Sequence, residues 1–164
     1  MTTKKDIGLG KYWDSFYKEF KILSARPTDT KKIKPLFAFG YGKSYTTFEL
    51  SNIAANKKKY DKDGTIEVTC DVSNTGEVDG AEVVQVYVGK PNSKVDRAKK
   101  ELKGFAKVAL KQGEKKTVTI AIDISKLKYY DTGISDWNLE LGNYDIYVGN
   151  ASDNIIKKST IKIE

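Results

Sequence analysis

The stretch Thr65-Ile66-Glu67-Val68-Thr69-Cys70-Asp71-Val72-Ser73-Asn74-Thr75-Gly76 alternates apolar and polar residues and then stops at a turn sequence. A period of two describes a strand with one buried face, here Ile66, Val68, Cys70 and Val72. On that face Cys70 behaves as a small, inert hydrophobe. Asp61-Lys62-Asp63-Gly64 is the turn before it, and Asp79-Gly80 closes the connection after it. Working outward, Val84, Val86 and Val88 form the inward set of a second strand, with Val83, Gln85 and Tyr87 facing the other way. A third strand runs from about Glu101 to Leu110, with Leu102, Val108 and Leu110 as core residues and Gly104 marking a bulge. Lys111-Gln112-Gly113-Glu114 turns the chain into Val118, Ile120 and Ile122. Residues 123–131 read as a connector with a helical turn, Leu127 and Tyr130 packing inward. A short run from Trp137 to Leu141, then Tyr144, Ile146 and Val148, then Ile161 and Ile163, complete the pattern. About seven short strands at spacings near ten residues, without a long helix, predict an all-β antiparallel sandwich rather than βαβ units.

The first 47 residues read differently. Leu9, Tyr12, Trp13, Phe16, Tyr17, Phe20 and Leu23 recur at helical spacing, predicting one amphipathic helix that ends before Arg26-Pro27. Pro35 to Tyr45 is rich in aromatics and glycine and reads as an extended connector laid along a surface. The expected organisation is therefore a helix and connector over residues 1–47, followed by the sandwich over 48–164.

Composition narrows the chemistry. The 164 residues contain no histidine and one cysteine, so imidazole-based triads, intrachain disulfides and cysteine-rich metal clusters are excluded. No cofactor is expected. Lys and Arg total 29 against 22 acids, a net charge of +7. Arg26 and Arg97 are the only arginines, and the lysines are scattered, which reads as a solvated face rather than a specific nucleic-acid site. Weak, salt-sensitive polyanion binding is the alternative. No apolar run approaches the roughly 18 residues of a membrane span, and the start lacks a secretory signal, so the chain as written is expected in the cytoplasm.

Pro35-Leu36-Phe37-Ala38-Phe39-Gly40-Tyr41-Gly42-Lys43-Ser44-Tyr45-Thr46-Thr47-Phe48 resembles the entry segment of the fibronectin type III-like domain that closes family 3 glycoside hydrolases, a family including β-glucosidases and β-xylosidases. The likeness continues through Val72 to Gly76, Asp79 to Val88, Lys100 to Phe105, Gly113-Glu114, Tyr129 to Asp131, Trp137 and Gly142 to Gly149. It covers roughly residues 33–156. The resemblance implies an immunoglobulin-like sandwich, here without the barrel and α/β domains that carry the family's catalytic carboxyls. Ala38, Lys43 and Ala98 depart from the family's common residues, and Lys43 suggests a surface left open to water. Ser135-Asp136-Trp137 looks like the triplet around the family's nucleophile, but it precedes the module's own glycine turn, so Asp136 reads as a loop acid and Trp137 as core or rim packing. Asp61-x-Asp63-Gly64-x-x-Glu67 has the wrong spacing for a calcium loop and reads as a turn.

Three functions follow as expectations. The first is a non-catalytic support or docking module, its partner face formed by Trp13, Phe16, Phe20, Phe37, Tyr41 and Lys43. That face would meet a protein partner, a second copy or glycosidase catalytic domains. The second is a fragment or subunit of a β-glucosidase-type hydrolase, with catalysis supplied by another chain. The third is a weak carbohydrate or polyanion module, favoured only if Tyr87 and Tyr147 lie exposed on one face.

Overall fold

The computed structural model describes residues 35–164, and Phe37–Glu164 forms one compact unit. Its strands are β1 (Phe48–Ala55), β2 (Lys59–Tyr60), β3 (Thr65–Asn74), β4 (Gly80–Gly89), β5 (Glu101–Leu110), β6 (Lys115–Asp123), β7 (Tyr129–Asp131), β8 (Asp136–Asn138), β9 (Gly142–Gly149) and β10 (Ile155–Ile163). A 3-10 turn, Ile124–Leu127, joins β6 to β7. One sheet has the order β1-β3-β6 and the other β2-β10-β9-β4-β5, with β7 and β8 forming a separate ribbon. All pairings are antiparallel except that of the two-residue β2 with β10. The antiparallel β-sandwich expected from the sequence is the fold of the described residues. Among the described residues no helix is long and apolar enough to cross a membrane. The predicted helix, with Trp13, Phe16 and Phe20, lies outside the described residues.

The alternating faces meet in the core. Ile66, Val68, Cys70 and Val72 of β3 and Ile120 and Ile122 of β6 face Val84, Val86 and Val88 of β4 and Tyr144, Ile146 and Val148 of β9. Ile124 and Leu127 of the 3-10 turn close one end. Burial pushes the Cys70 thiol up to about 11, with help from the neighbouring Asp71 charge, so it stays protonated and unreactive. At the other end, buried Asn74 receives the Thr46 hydroxyl on its oxygen (2.7 Å) and donates to the Val78 carbonyl (2.8 Å). The Ser-Asn-Thr-Gly turn is thus also a polar clasp between the sheet and the segment that enters it.

Several expectations are corrected. Leu102 is not a core residue. The bulge at Lys103 places Gly104 opposite Val86 but Leu102 opposite Tyr87, and one extra residue moves Leu102 to the outer face. Gly104 itself faces inward beneath β6, where a Cβ would sit 2.6 Å from Ile120 Cγ2. Tyr130 does not pack inward; it is exposed and lies edge-on against exposed Trp137, at 5.9 Å and 80°, so neither ring is core. The strand β1 escaped the sequence reading because Asn52, at φ +48°, shifts the register between Ser51 and Ala54 and breaks the alternation. Finally, Gln85 and Tyr87 face away from the core as expected, yet both are buried. Gln85 is covered by the Gly40 turn of the entry segment, whereas Tyr87 lies under the ammonium group of Lys100 (5.8 Å) and donates to Gln85.

The corner before β9 is held by a tyrosine. Tyr144 is buried at the start of β9, and its hydroxyl donates to the Glu140 carbonyl at 2.7 Å. This is the tyrosine corner of immunoglobulin-like sandwiches, which locks the crossing between the sheets. Burial raises the Tyr144 phenol to about 12, so it remains a donor. Around it, the Glu140 carboxylate accepts from Ser93 Oγ (2.5 Å) and the Lys94 amide (2.8 Å), and Arg97 donates to the Leu127 carbonyl (3.3 Å).

Candidate docking surface

The sequence Phe37-Ala38-Phe39-Gly40-Tyr41 makes a tight turn, with the Tyr41 amide donating to the Ala38 carbonyl at 3.0 Å and Gly40 at φ +79°. Positive φ strains a side-chain-bearing residue, and a Cβ at this position would also fall 2.2 Å from Gln85 Oε1. The turn therefore sits directly on β4. Gln85 Nε2 donates to the Gly40 carbonyl (3.3 Å), and the Ser152 amide donates to the Phe39 carbonyl (2.8 Å). Further along, the Thr75 amide donates to the Thr47 carbonyl at 2.9 Å. These bonds hold the Phe39, Gly40 and Thr47 carbonyls in place, and the rings of Phe37, Phe39 and Tyr41 turn outward.

Phe37 is 64 % exposed, Phe39 65 % and Tyr41 47 %, and Phe37 stacks on Tyr41 with centroids 5.3 Å apart. Phe105, 65 % exposed, stands opposite Gln85 on the edge strand β5, one strand from the residue that meets Gly40. A polar groove of about 530 Å³ runs beside the ridge, lined by Lys43, Glu82, Lys107, Asn150 and Asp153. Of the residues singled out from the sequence, Phe37, Tyr41 and Lys43 lie together on this segment, all exposed. Phe39 and Phe105 complete the surface and were missed. The alternation signal assigns Phe105 no face because the bulge precedes it.

Tyr87 and Tyr147 do not form an exposed sugar platform on one face. Tyr87 is 3 % exposed, and half-buried Tyr147 lies under the ammonium groups of Lys100 (5.7 Å) and Lys158 (5.4 Å). The Ser135-Asp136-Trp137 triplet sits on the β7–β8 ribbon, where the Asp136 carboxylate caps the Trp137 amide at 2.7 Å. The Asp61–Gly64 segment is a turn, closed by the Gly64 amide on the Asp61 carbonyl at 2.9 Å.

Every carboxyl shifted from its ordinary value among the described residues is shifted down. For Asp145, burial is the largest influence and favours the neutral form. It is outweighed by hydrogen bonds from Lys158 (2.9 Å) and Thr160 (2.7 Å). Half-buried Asp71 is lowered by Lys115 (2.8 Å), then Thr117 (2.6 Å) and Asn52 (2.8 Å). Lowered folded-state values mean that these contacts stabilise the fold above the unfolded carboxyl range near pH 4 and are lost as pH falls below it. Urea midpoints measured between pH 7 and pH 2.5 should therefore decline below about pH 4. Asp145→Asn, already weakened at pH 7, should decline less steeply. A midpoint unchanged at pH 2.5 would show that the pairs contribute nothing.

The sheet order, the covered outer face and the tyrosine corner define the class: a fibronectin type III-like sandwich. Residues 82–152 match the family model of the fibronectin type III-like domain. The thermostable β-glucosidase B of Acetivibrio thermocellus is 45 % identical over 147 residues, which is 90 % of this chain and 20 % of that protein. An exo-α-(1→6)-L-arabinopyranosidase of Bifidobacterium breve is 46 % identical over 126 residues, 77 % of this chain and 16 % of the relative. The crystal structure of the GH3 β-glucosidase of Bifidobacterium adolescentis superposes with a TM-score of 0.77 at 38 % identity, covering 84 % of this chain and 20 % of that one. The chain spans about a fifth of the length of the relatives it matches. Residues 82–152 are thus a fibronectin type III-like domain, in a chain that is similar over most of its length to about a fifth of a GH3 β-glucosidase.

Proposed function

We propose that this domain acts as a non-catalytic docking module that seats its entry-segment rings against the catalytic domains of a β-glucosidase-type family 3 hydrolase. The observation that carries this reading is the exposure of Phe37, Phe39 and Phe105 around a backbone turn fixed by hydrogen bonds to β4 and the β9–β10 connection. Clustered exposed rings on a rigid support mark an interaction surface. Two further features agree. A glycosidase needs one carboxyl raised enough to act as general acid, and among the described residues the shifted carboxyls all move the other way. The β-glucosidase and the arabinopyranosidase match this chain at similar identity, which favours a role tied to the scaffold rather than to the sugar.

The test is complementation. The Acetivibrio thermocellus enzyme without its matching segment is co-expressed with this chain, with its own segment as a positive control and no segment as a blank. Recovery of aryl β-glucoside cleavage and co-purification are expected from the pair, and no cleavage from this chain alone. Recovery with the native segment but neither recovery nor co-purification with this chain would overturn the reading.

A further inference from the structure

We propose that Gln85 is the positioning residue of the docking surface: its carboxamide holds the Gly40 turn at one place on β4 and so fixes how the neighbouring rings face a partner. The purpose of this clip rests on the docking reading; its existence does not. Gln85 stands mid-strand on the outer face of the sheet, yet is 4 % exposed. A carboxamide buried there is costly unless its hydrogen bonds are made. They are made to the entry segment, to the connection after β9 and to β4 itself. Nε2 donates to the Gly40 carbonyl of the entry segment and to the Asn150 carbonyl after β9, and Oε1 accepts the Tyr87 hydroxyl. A leucine would fill the same space but could bind neither carbonyl, so the amide serves the strap rather than the core.

Gly40 is the matching half. Ideal Cβ positions there meet Gln85 Oε1, Nε2 and Cδ at 2.2, 2.6 and 2.7 Å, so the turn and the amide fit only as a pair. A second fastener lies beside the first. The Ser152 amide holds the Phe39 carbonyl, while the Ser152 carbonyl accepts from Lys100 Nζ, which lies over the rings of Tyr87 (5.8 Å) and Tyr147 (5.7 Å). Phe39 and Tyr41 flank the clipped carbonyl on either side. Freeing it lets both rings pivot, and a surface that must be ordered on binding binds more weakly than one already set.

Gln85→Leu and Gly40→Ala separate the clip from general stability when hydrogen exchange is followed by NMR on the full chain. The expected result is that the Ser152 and Tyr41 amides exchange at least about tenfold faster in both variants, while the Val84, Val86 and Val148 ladder amides keep their protection. In the complementation assay, co-purification by Gln85→Leu should weaken about tenfold. Unchanged exchange at Ser152 and Tyr41, equal acceleration throughout the ladder, or full-strength docking by a loosened Gln85→Leu would each overturn the proposal. If the unaltered chain fails to dock, the docking reading falls and takes the positioning role with it, while exchange still decides the strap.

Discussion

Tyr144→Ala is expected to cost about 3–5 kcal/mol of unfolding free energy, the loss typical of deleting a large buried ring. The ring is 1 % exposed among the residues that join the two sheets, and its hydroxyl ties the start of β9 to the Glu140 carbonyl. Removing both leaves a cavity beside the partly buried Glu140–Arg97 cluster and a carbonyl without its donor. Since a domain of this size holds only about 5–15 kcal/mol in reserve, much of the chain could unfold at physiological temperature. Tyr144→Phe separates the contributions: it keeps the packing and loses one hydrogen bond, at about 1–2 kcal/mol. Trp137→Ala is the contrast, because that ring is 61 % exposed and should cost less than about 1 kcal/mol. Urea unfolding of the three variants gives the order. Equal losses for Tyr144→Ala and Trp137→Ala would mean that the corner does not hold the sandwich.

The second large effect is on association. Phe37→Ala with Phe39→Ala should leave the melting temperature nearly unchanged, because both rings face solvent in the free domain. Recovery of a complementing hydrolase should nevertheless collapse. An interface ring that behaves as a hot spot is worth about 2 kcal/mol or more, close to thirtyfold in affinity, so the pair should lose several hundredfold if independent. Tyr130→Ala with Trp137→Ala removes as much exposed aromatic surface from the β7–β8 ribbon. It should leave recovery intact. Loss of recovery from the ribbon variant and not from the entry-segment variant would move the docking face to the other patch.

The strands legible in the sequence were those with an undisturbed period of two. Ile66 to Val72 and Val118 to Ile122 show on paper the side that the sheet buries. Where one residue is inserted, the pattern fails for a geometric reason: the Lys103 bulge turned Leu102 outward, and the Asn52 irregularity concealed β1. Burial of Gln85 and Tyr87 was illegible for a different reason. Gln85 is covered by the Gly40 turn, 45 positions away, and Tyr87 by the Lys100 side chain from the β4–β5 connection, and nothing in the local alternation reports either cover. Of the docking surface, Phe37, Tyr41 and Lys43 could be picked out because the Phe-Ala-Phe-Gly-Tyr-Gly stretch is too aromatic for a solvated linker. Phe105 depends on tertiary register, and no single-strand signal places it opposite Gln85.

Hydroxyl-radical footprinting of the complemented pair against the free chain tests the central claim most directly, since it reports which rings lose solvent. Strong protection of Phe37, Phe39, Tyr41 and Phe105, with Tyr130 and Trp137 still oxidised at the rate of the free chain, is the predicted outcome. Protection centred on Tyr130 and Trp137, with the entry-segment rings as reactive in the complex as alone, would contradict it.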